Sequence, residues 1–278
     1  ATIGPRAVIH TNWHHVLLLL PFINPHRDIL WLHDLLPTTR RYARVMAAIA
    51  KRVSRIVCVS HAVARNVLAL GVPESRVTVV HNGLPPTDPV DPPGEQPMLR
   101  LGIVGQIGPW KGHDDLLDAL ALILRNNMPV LLRIFGAGAP AYVESLKRRV
   151  AELNLVNQVE WCGFVHNQTD IFRRIDVCVV PSLVEEAFGM SALEANAFGR
   201  PVICSSRGGL PEIVDNGVTG LIVDPHRPDQ LARAIETYVS RRDLVKAMGE
   251  AGRQRAQDEF SLARFGEQFV HVIEEVTG

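Results

Sequence analysis

The 278-residue sequence predicts an α/β protein built on parallel β-sheets. Short runs rich in Val, Ile and Leu alternate along the chain with longer stretches of helical, 3.6-residue apolar spacing, which is the pattern of βα units. Hydrophobic residues make up 47% of the chain, so both faces of such sheets can be covered. A proline-rich segment then divides the pattern into two α/β portions.

Ten strands are predicted, with helices in most of the gaps between them. In chain order they are AVIH, ILWLH, RIVCVS, VTVVH, RLGIVG, VLLRIFG, VEWCG, VCVVPS, PVICSS and GLIVD. The stretch TTRRYARVMAAIAKRVSR predicts an amphipathic helix, because its apolar and basic residues fall on different faces. The apolar face is Tyr42, Val45, Met46, Ile49 and Val53, and the basic face is Arg40, Arg44, Lys51 and Arg55.

Residues 83–97 contain six prolines and therefore predict a linker, because proline lacks the backbone N–H that a helix or central strand needs. We expect a partial N-terminal domain over residues 1–84, a linker over 85–97 and a C-terminal domain over 98–278. The first portion is short for covering both faces of its sheet, so we expect that domain to be incomplete. The last helix of the chain is a candidate to cross back to it.

The charge balance argues against nucleic acid as a partner, since Lys plus Arg and Asp plus Glu both number 29. Residues 1–90 carry ten basic and four acidic side chains, however, which makes peripheral contact with an anionic membrane face an open alternative to a solvated basic surface. The apolar run VLLLLPFI is shorter than the roughly 20 residues of a membrane span. We expect a cytoplasmic protein.

The cysteines predict neither a zinc site nor a redox pair. Cys58, Cys162, Cys178 and Cys204 lie in or beside apolar runs and show no C-x-x-C spacing, which indicates reduced core thiols.

Candidate binding residues follow the strands, since ligands of doubly wound sheets bind at the carboxyl ends of the strands. After RLGIVG, Lys111 precedes a helix that begins near His113, and after VCVVPS, Gly189 and Met190 open another helix. Two helix N-termini with one lysine suit a pyrophosphate. Taken alone, Lys111 is more typical of an ordinary surface lysine after a turn.

Two carboxylates, Glu186 and Glu194, flank this second helix start. Carboxylates accept hydrogen bonds from sugar hydroxyls, and Glu194 is expected about one turn into the helix with its side chain leaning back toward the N-terminus. A solvated or capping glutamate is the alternative for either residue alone.

The segment EAFGMSALEA resembles the E-x7-E signature of the retaining GT-B glycosyltransferases of family 4. Further similarity lies in WLHD, RIVCVSHAVARNV, VTVVHNG, GIVGQIGPWKG, RIFGAG, WCGFV and GRPVICSSRGGLPEIVDNGVTGLIVD. The resemblance implies a GT-B fold, in which two Rossmann-like domains with doubly wound parallel sheets face each other across a cleft.

The resemblance also implies roles for individual residues. Glu186 would contact the hydroxyls of the donor sugar, Glu194 the ribose, and Lys111 the leaving diphosphate. Val165 would lie beside the base, and His33 would face the donor sugar from the other domain. The backbone that approaches the sugar and the diphosphate would be that of Phe188, Gly189 and Met190.

One departure from the family pattern concerns the residue after Gly105, where family members usually carry arginine and this chain has Gln106. An amide donates hydrogen bonds but brings no charge, so the diphosphate should depend more on Lys111 or on another cation such as Arg207.

The reaction implied is transfer of a sugar from a nucleotide diphosphate donor, with UDP or GDP as the expected nucleotide, to a hydroxyl acceptor with retention of configuration. The acceptor would be a saccharide or a lipid-linked glycan. No D-x-D motif occurs, so we expect metal-independent transfer with no cofactor besides the donor. A second copy of the chain could complete the N-terminal sheet.

Three alternatives remain at this stage. A noncatalytic nucleotide-sugar-binding subunit would fit the short N-terminal portion and Gln106. IFGAGAPA satisfies a dinucleotide fingerprint, but it follows the second strand of its domain rather than the first. The histidines of HTNWHH, with His26 and His33, could suggest a metal cluster, although their placement around a strand end and a helix start favours a polar loop.

Overall fold

The computed structural model describes residues 7–88, 90, 97–126 and 128–278. All ten predicted strands are present. They are β1 Val8–His10, β2 Asp28–Leu32, β3 Arg55–Cys58, β4 Val77–Val79, β5 Leu99–Val104, β6 Val130–Phe135, β7 Val159–Gly163, β8 Val177–Val180, β9 Val202–Ser205 and β10 Gly220–Val223.

Helices fill the gaps between the strands, as the alternating pattern predicts. In the described residues they are α1 Trp13–Leu18, α2 Arg40–Ala50, α3 His61–Ala69, α4 His113–Leu124, α5 Pro140–Glu152, α6 Gln168–Phe172, α7 Met190–Ala197, α8 Leu210–Ile213, α9 Pro228–Ser240, α10 Arg242–Glu259 and α11 Leu262–Thr277. None of these helices combines the length and the apolar composition that crossing a bilayer requires.

The chain folds as two compact units. The first is formed from the described residues of the segments Ala1–Pro85, Glu186–Phe188 and Phe260–Gly278. Its sheet has the order β1-β2-β3-β4 with every pair parallel. Helix α11 belongs to this unit, because Phe269 and Val272 pack with Ile29, Val57 and Val80 in one buried cluster.

The second unit is formed from the described residues of Pro86–Glu185 and Gly189–Glu259. Its six parallel strands have the order β10-β9-β8-β5-β6-β7. The order reverses between β5 and β8, and the crevice beyond the carboxyl ends of the strands at such a reversal is where doubly wound sheets bind ligands. Of the linker predicted over 85–97, residues 89 and 91–96 lie outside the described residues.

Helix α2 is amphipathic as predicted but shorter than expected. Met46 and Ile49 are buried while Arg40 and Arg44 are exposed. The prediction that Val53 and Arg55 continue this helix is wrong. The helix ends at Ala50, and the N–H of Ser54 donates to the carbonyl of Asp28 at 2.7 Å, which draws the chain into the sheet. Arg55 opens β3 and pairs with Glu275 at 3.1 Å.

All four cysteines are free thiols, and Cys58, Cys178 and Cys204 are buried. Burial raises the pKa of the Cys58 and Cys178 thiols to about 12, so both are protonated and unreactive at neutral pH.

Candidate nucleotide and diphosphate site

Two glycines form a close backbone crossing at the carboxyl ends of β5 and β6. A Cβ on Gly136 would lie 1.8 Å from the carbonyl oxygen of Gly105, so no larger residue fits there without moving the backbone. Both glycines have positive φ, at 135° for Gly105 and 132° for Gly136, a region that side chains disfavour. Beside Gln106, the surface at this crossing is therefore formed by glycine backbone without side chains.

An apolar cavity of about 360 Å³ is bordered by Gly105 and Gly136. The predicted residues Gly105, Gln106 and Val165 all line it. The remaining lining comes from Val104, Phe135, Gly136, Ala137, Phe164 and Ile171. The prediction that Val165 lies beside the base is therefore compatible with an apolar cavity large enough for a planar ring.

A second, water-sized cavity adjoins the first and shares Val104, Gly105 and Gln106 with it. Its lining also includes Lys111 and His113, and further Ile103, Val179, Val180, Pro181, Ser182 and Ser191. Gly105 and Gln106 therefore lie at the boundary between the apolar cavity and the water-sized cavity that Lys111 lines.

A tight turn positions Lys111. The residues Pro109–Lys111 form a 3-10 turn in which the N–H of Lys111 donates to the carbonyl of Gly108 at 3.0 Å. Gly112 follows with φ 72° and ψ 26°, and α4 begins at the next residue. A Cβ on Gly112 would lie 2.0 Å from the carbonyl oxygen of Pro181, so the Lys111 turn sits directly against the end of β8.

His113, the first residue of α4, is buried with 3% of its surface exposed. Burial lowers the pKa of its imidazole to about 4, against the opposing influence of the Gly108 backbone and Asp114, so the ring is neutral at pH 7. Its Nδ1 atom has no hydrogen-bond partner among the described residues. The sequence indicated the helix start at His113 but not this neutral polar group in the wall of the cavity.

Helix α7 begins as predicted at Met190, with Gly189 as its N-terminal cap at φ 110°. A Cβ on Gly189 would lie 2.6 Å from a methyl carbon of Leu210, which explains why glycine occupies the cap. Glu194 lies one turn into the helix and is half-buried. Burial raises the pKa of the Glu194 carboxyl, and a hydrogen bond from the Gln168 side chain opposes that shift.

The loop between β8 and α7 is tied to its neighbours by three contacts. The N–H of Leu183 donates to the carbonyl of Trp110 at 2.8 Å, and the hydroxyl of Ser205 donates to the carbonyl of Ser182 at 2.6 Å. Glu185 makes the third contact. The loop that carries Glu186 therefore connects the Lys111 turn to the residues after β9.

Glu185 accepts hydrogen bonds from the Arg207 guanidinium at 3.1 Å and from the N–H of Gly208. Arg207 was a candidate to replace the missing family arginine. Its charge is instead shared with Glu185, which weakens that candidacy. Nothing in the family pattern pointed to Glu185, because the signature begins at Glu186.

The other predicted residues belong to the first unit. Phe188 is buried, with its ring centroid 5.8 Å from that of His81, and Ser60 donates to the carbonyl of Ala187. Glu186 is half-buried. His33 follows β2, and burial lowers its pKa, against the influence of Asp34.

The histidines considered as a metal cluster have other neighbours. His14 hydrogen-bonds the Asn12 side chain at 3.0 Å, and His10 lies 3.7 Å from Asp28. The dinucleotide interpretation of IFGAGAPA would use Glu160, on the next strand β7, as the acidic residue that binds a ribose. Glu160 instead pairs with Arg133 at 2.6 Å.

Family models match most of the chain. The model of Glycosyl transferases group 1 matches residues 95–255, and that of Glycosyltransferase Family 4 matches residues 7–88. A D-inositol 3-phosphate glycosyltransferase of Streptomyces griseus is 36% identical over 163 residues, which cover 55% of this chain and 34% of that protein. An uncharacterised glycosyltransferase of Methanocaldococcus jannaschii is 30% identical over 204 residues, or 67% and 51% of the two chains. The matches thus span a third to a half of these curated relatives.

Solved structures show the fold. HepE of Anabaena in complex with UDP and glucose superposes with a TM-score of 0.80 at 24% identity, covering 89% of this chain and 71% of that one. Sucrose-phosphate synthase of Thermosynechococcus elongatus superposes with a TM-score of 0.83 at 23% identity, covering 98% and 73%. These superpositions confirm the predicted GT-B α/β fold with two Rossmann-like parallel-sheet domains.

Proposed function

This chain belongs to the family Glycosyl transferases group 1, and we propose that it transfers a sugar from a nucleotide diphosphate donor to a hydroxyl acceptor. The single observation that carries the proposal is the pair of adjoining cavities. One is apolar and the other contains Lys111, and Gly105 and Gln106 line both. A planar base suits the apolar cavity, and a diphosphate that continues past Gly105 and Gln106 would lie beside the residues that line the water-sized cavity, including Lys111.

Lys111 supplies the main stabilisation of the diphosphate in this proposal. A charge-assisted hydrogen bond contributes about 1.5 to 3 kcal/mol, whereas each helix N-terminus contributes about 0.3 to 1 kcal/mol when exposed. The N-termini of α4 and α7, which begin at His113 and Met190, add to the lysine. Positive charge and backbone N–H groups would then stabilise the leaving diphosphate without a metal ion, in keeping with the absence of D-x-D from the sequence.

The carboxylates hold the sugars in this proposal. Glu194, one turn into α7, accepts hydrogen bonds from the ribose, and Glu186 accepts them from the donor sugar. We also propose His33 as a contact of the donor sugar. We propose retention of configuration by attack on the same face of the sugar, with the leaving phosphate taking the acceptor proton.

UDP and GDP are the proposed nucleotides, and the comparison with HepE, solved with UDP and glucose, supports a nucleotide of this class. The proposed acceptor is a saccharide or a lipid-linked glycan. The exposed Arg40 and Arg44 of α2 suit an anionic bilayer beside a lipid-linked acceptor, at about 1 kcal/mol per basic residue. Loss of sedimentation with anionic vesicles on changing both to glutamine would support that contact, and no sedimentation of the wild type would refute it.

Calorimetry with UDP, GDP and ADP, followed by incubation with the matching nucleotide sugars, tests the proposal. An active enzyme binds one nucleotide in the micromolar range and slowly hydrolyses its sugar donor without acceptor. Binding with no turnover, even with added saccharide acceptors, would instead indicate a noncatalytic subunit. A wild-type protein that binds no nucleotide diphosphate would refute the assignment altogether.

A further inference from the structure

Trp31, on strand β2, contacts the imidazole of His33 directly. Residues two apart on a strand project from the same face of the sheet, and the two ring centroids lie 4.3 Å apart with the planes tilted by 49°. His33 lies one residue beyond the end of β2, so its orientation depends more on side-chain contacts than that of a residue inside the strand.

Helix α11 holds the indole of Trp31 in place. The Trp31 centroid lies 5.4 Å from that of Phe265, with the planes at 26°, and 5.0 Å from that of Phe269. Phe265 and Phe269 are four residues apart and therefore share one face of the helix, and their own centroids lie 5.6 Å apart. The three rings form an aromatic cluster that reaches His33 through Trp31, and all four residues belong to the first unit.

Hydrogen bonding does not explain why a tryptophan occupies this position. The Nε1 atom of Trp31 is buried and has no hydrogen-bond partner among the residues that the structure describes. A buried donor without a partner costs about 1 to 3 kcal/mol, and a phenylalanine would carry no such cost. The indole therefore contributes through the area of its ring, which packs against His33 on one side and α11 on another.

We propose that Trp31 is a positioning residue for His33 and that α11, through Phe265 and Phe269, is part of the same support. The proposal rests on the proposed function, because it takes the donor sugar as the contact of His33. The aromatic cluster fixes the orientation of the imidazole and keeps water from one of its faces.

The state of the His33 imidazole agrees with this role. Burial lowers the pKa of His33, against the influence of Asp34, so the ring is mostly neutral at pH 7. A neutral imidazole donates one hydrogen bond and accepts another, which suits a sugar hydroxyl that can do both.

The first measurement is the pKa of His33 by NMR in the wild type, Trp31→Leu and Trp31→Phe, with His33→Gln identifying the signal. Water reaches the imidazole in Trp31→Leu, so the pKa should rise toward the ordinary value of 6.5. Trp31→Phe keeps an aromatic ring and should stay close to the wild type. Trp13→Leu is the matched control, because Trp13 stacks on His14 at 3.6 Å and its loss should leave His33 unchanged.

The second measurement is hydrolysis of UDP-glucose and GDP-glucose, together with the affinity for UDP and GDP. A misplacement of about 1 Å can cost about 100-fold in rate, so Trp31→Leu should lower kcat about 10- to 100-fold. Nucleotide affinity should not change, because His33 contacts the sugar. Trp31→Phe should recover most of the lost turnover.

A variant on α11 keeps the test decisive if Trp31→Leu does not fold. Phe265→Ala leaves Trp31 in place and should move the pKa of His33 and the turnover in the same directions by a smaller amount. Val270→Ala is its control, because Val270 is 52% exposed on the same helix, and both quantities should stay at the wild-type values.

An unchanged pKa of His33 in Trp31→Leu and Phe265→Ala would overturn the inference, and so would full turnover in both variants. A loss of nucleotide affinity as large as the loss of turnover would also overturn it, because the substitutions would then act on the whole fold. A wild type that binds neither nucleotide and hydrolyses neither donor would refute the proposed function instead. The NMR titration alone would then decide whether Trp31 supports His33.

Discussion

Replacing Gly112 by alanine tests whether the Lys111 turn is held against β8 as described. The added Cβ meets two separate penalties. At φ 72° an alanine adopts a left-handed conformation at a cost of about 1 to 2 kcal/mol. It also lies 2.0 Å from the carbonyl oxygen of Pro181, so the two backbones must separate by about 1 Å, and such overpacking costs about 1 to 3 kcal/mol. The expected destabilisation is therefore about 2 to 5 kcal/mol.

Gly217 provides the matched control for this substitution. It has a similar φ of 82°, and a Cβ there would meet nothing within 4 Å. Gly217→Ala should therefore cost only the backbone part, about 1 to 2 kcal/mol. Urea denaturation of both variants gives the difference, which isolates the contact with Pro181.

The two variants also separate stability from ligand binding. Gly112→Ala should weaken nucleotide diphosphate binding at temperatures where the variant is folded, because the displaced turn carries Lys111, whereas Gly217→Ala should bind normally. Equal destabilisation by the two substitutions would refute the close approach of the Lys111 turn to β8.

Three further substitutions test the site. Lys111→Ala should weaken nucleotide diphosphate binding by about 2 to 3 kcal/mol in calorimetry while a nucleoside without phosphates binds as before, and unchanged diphosphate affinity would contradict the role of the lysine. Glu185→Ala should raise the donor KM by up to about 5-fold at constant melting temperature, because its half-exposed ion pair with Arg207 fixes the loop rather than the fold. The control is Asp243→Ala, which removes a similarly exposed ion pair with Arg241 and should leave the donor KM unchanged. Glu194→Gln should raise the melting temperature at pH 7 but not at pH 4. Burial raises the pKa of the Glu194 carboxyl, so the folded protein loses stability as the pH rises through that pKa and the carboxyl ionises, whereas glutamine stays neutral. The same shift in melting temperature at both pH values would contradict this.

The strands and the main helix starts could be predicted from the sequence because each depends on local pattern. Runs such as VCVVPS are long enough in β-branched residues to specify β8, and Gly189 marks the start of α7 by its own conformational freedom. The end of α2 could not be predicted in the same way. The apolar spacing continues to Val53, but the sheet bond between Ser54 and Asp28 competes with the helix, and that bond joins distant parts of the chain.

In the candidate site, too, the residues that local sequence patterns mark could be predicted, and those that depend on contacts between distant parts of the chain could not. Lys111 and Glu194 could be found from their positions after strands, and Gly105 from the family pattern. Glu185 could not, because its contacts with Arg207 and Gly208 depend on the order of β8 and β9.

Gln106 shows how the structure changes the meaning of a departure from the family pattern. In the sequence it is a missing charge, which would weaken a diphosphate site. In the structure its residue lines both cavities, at the boundary between the apolar space and the space with Lys111. An amide there can donate to a phosphate oxygen and accept from a base or ribose, whereas a guanidinium only donates. If the proposed site is correct, a glutamine at this position can contact both a neutral base and an anionic phosphate. The charge of the diphosphate would then depend on Lys111 and the helix N-termini, without a full cation from residue 106.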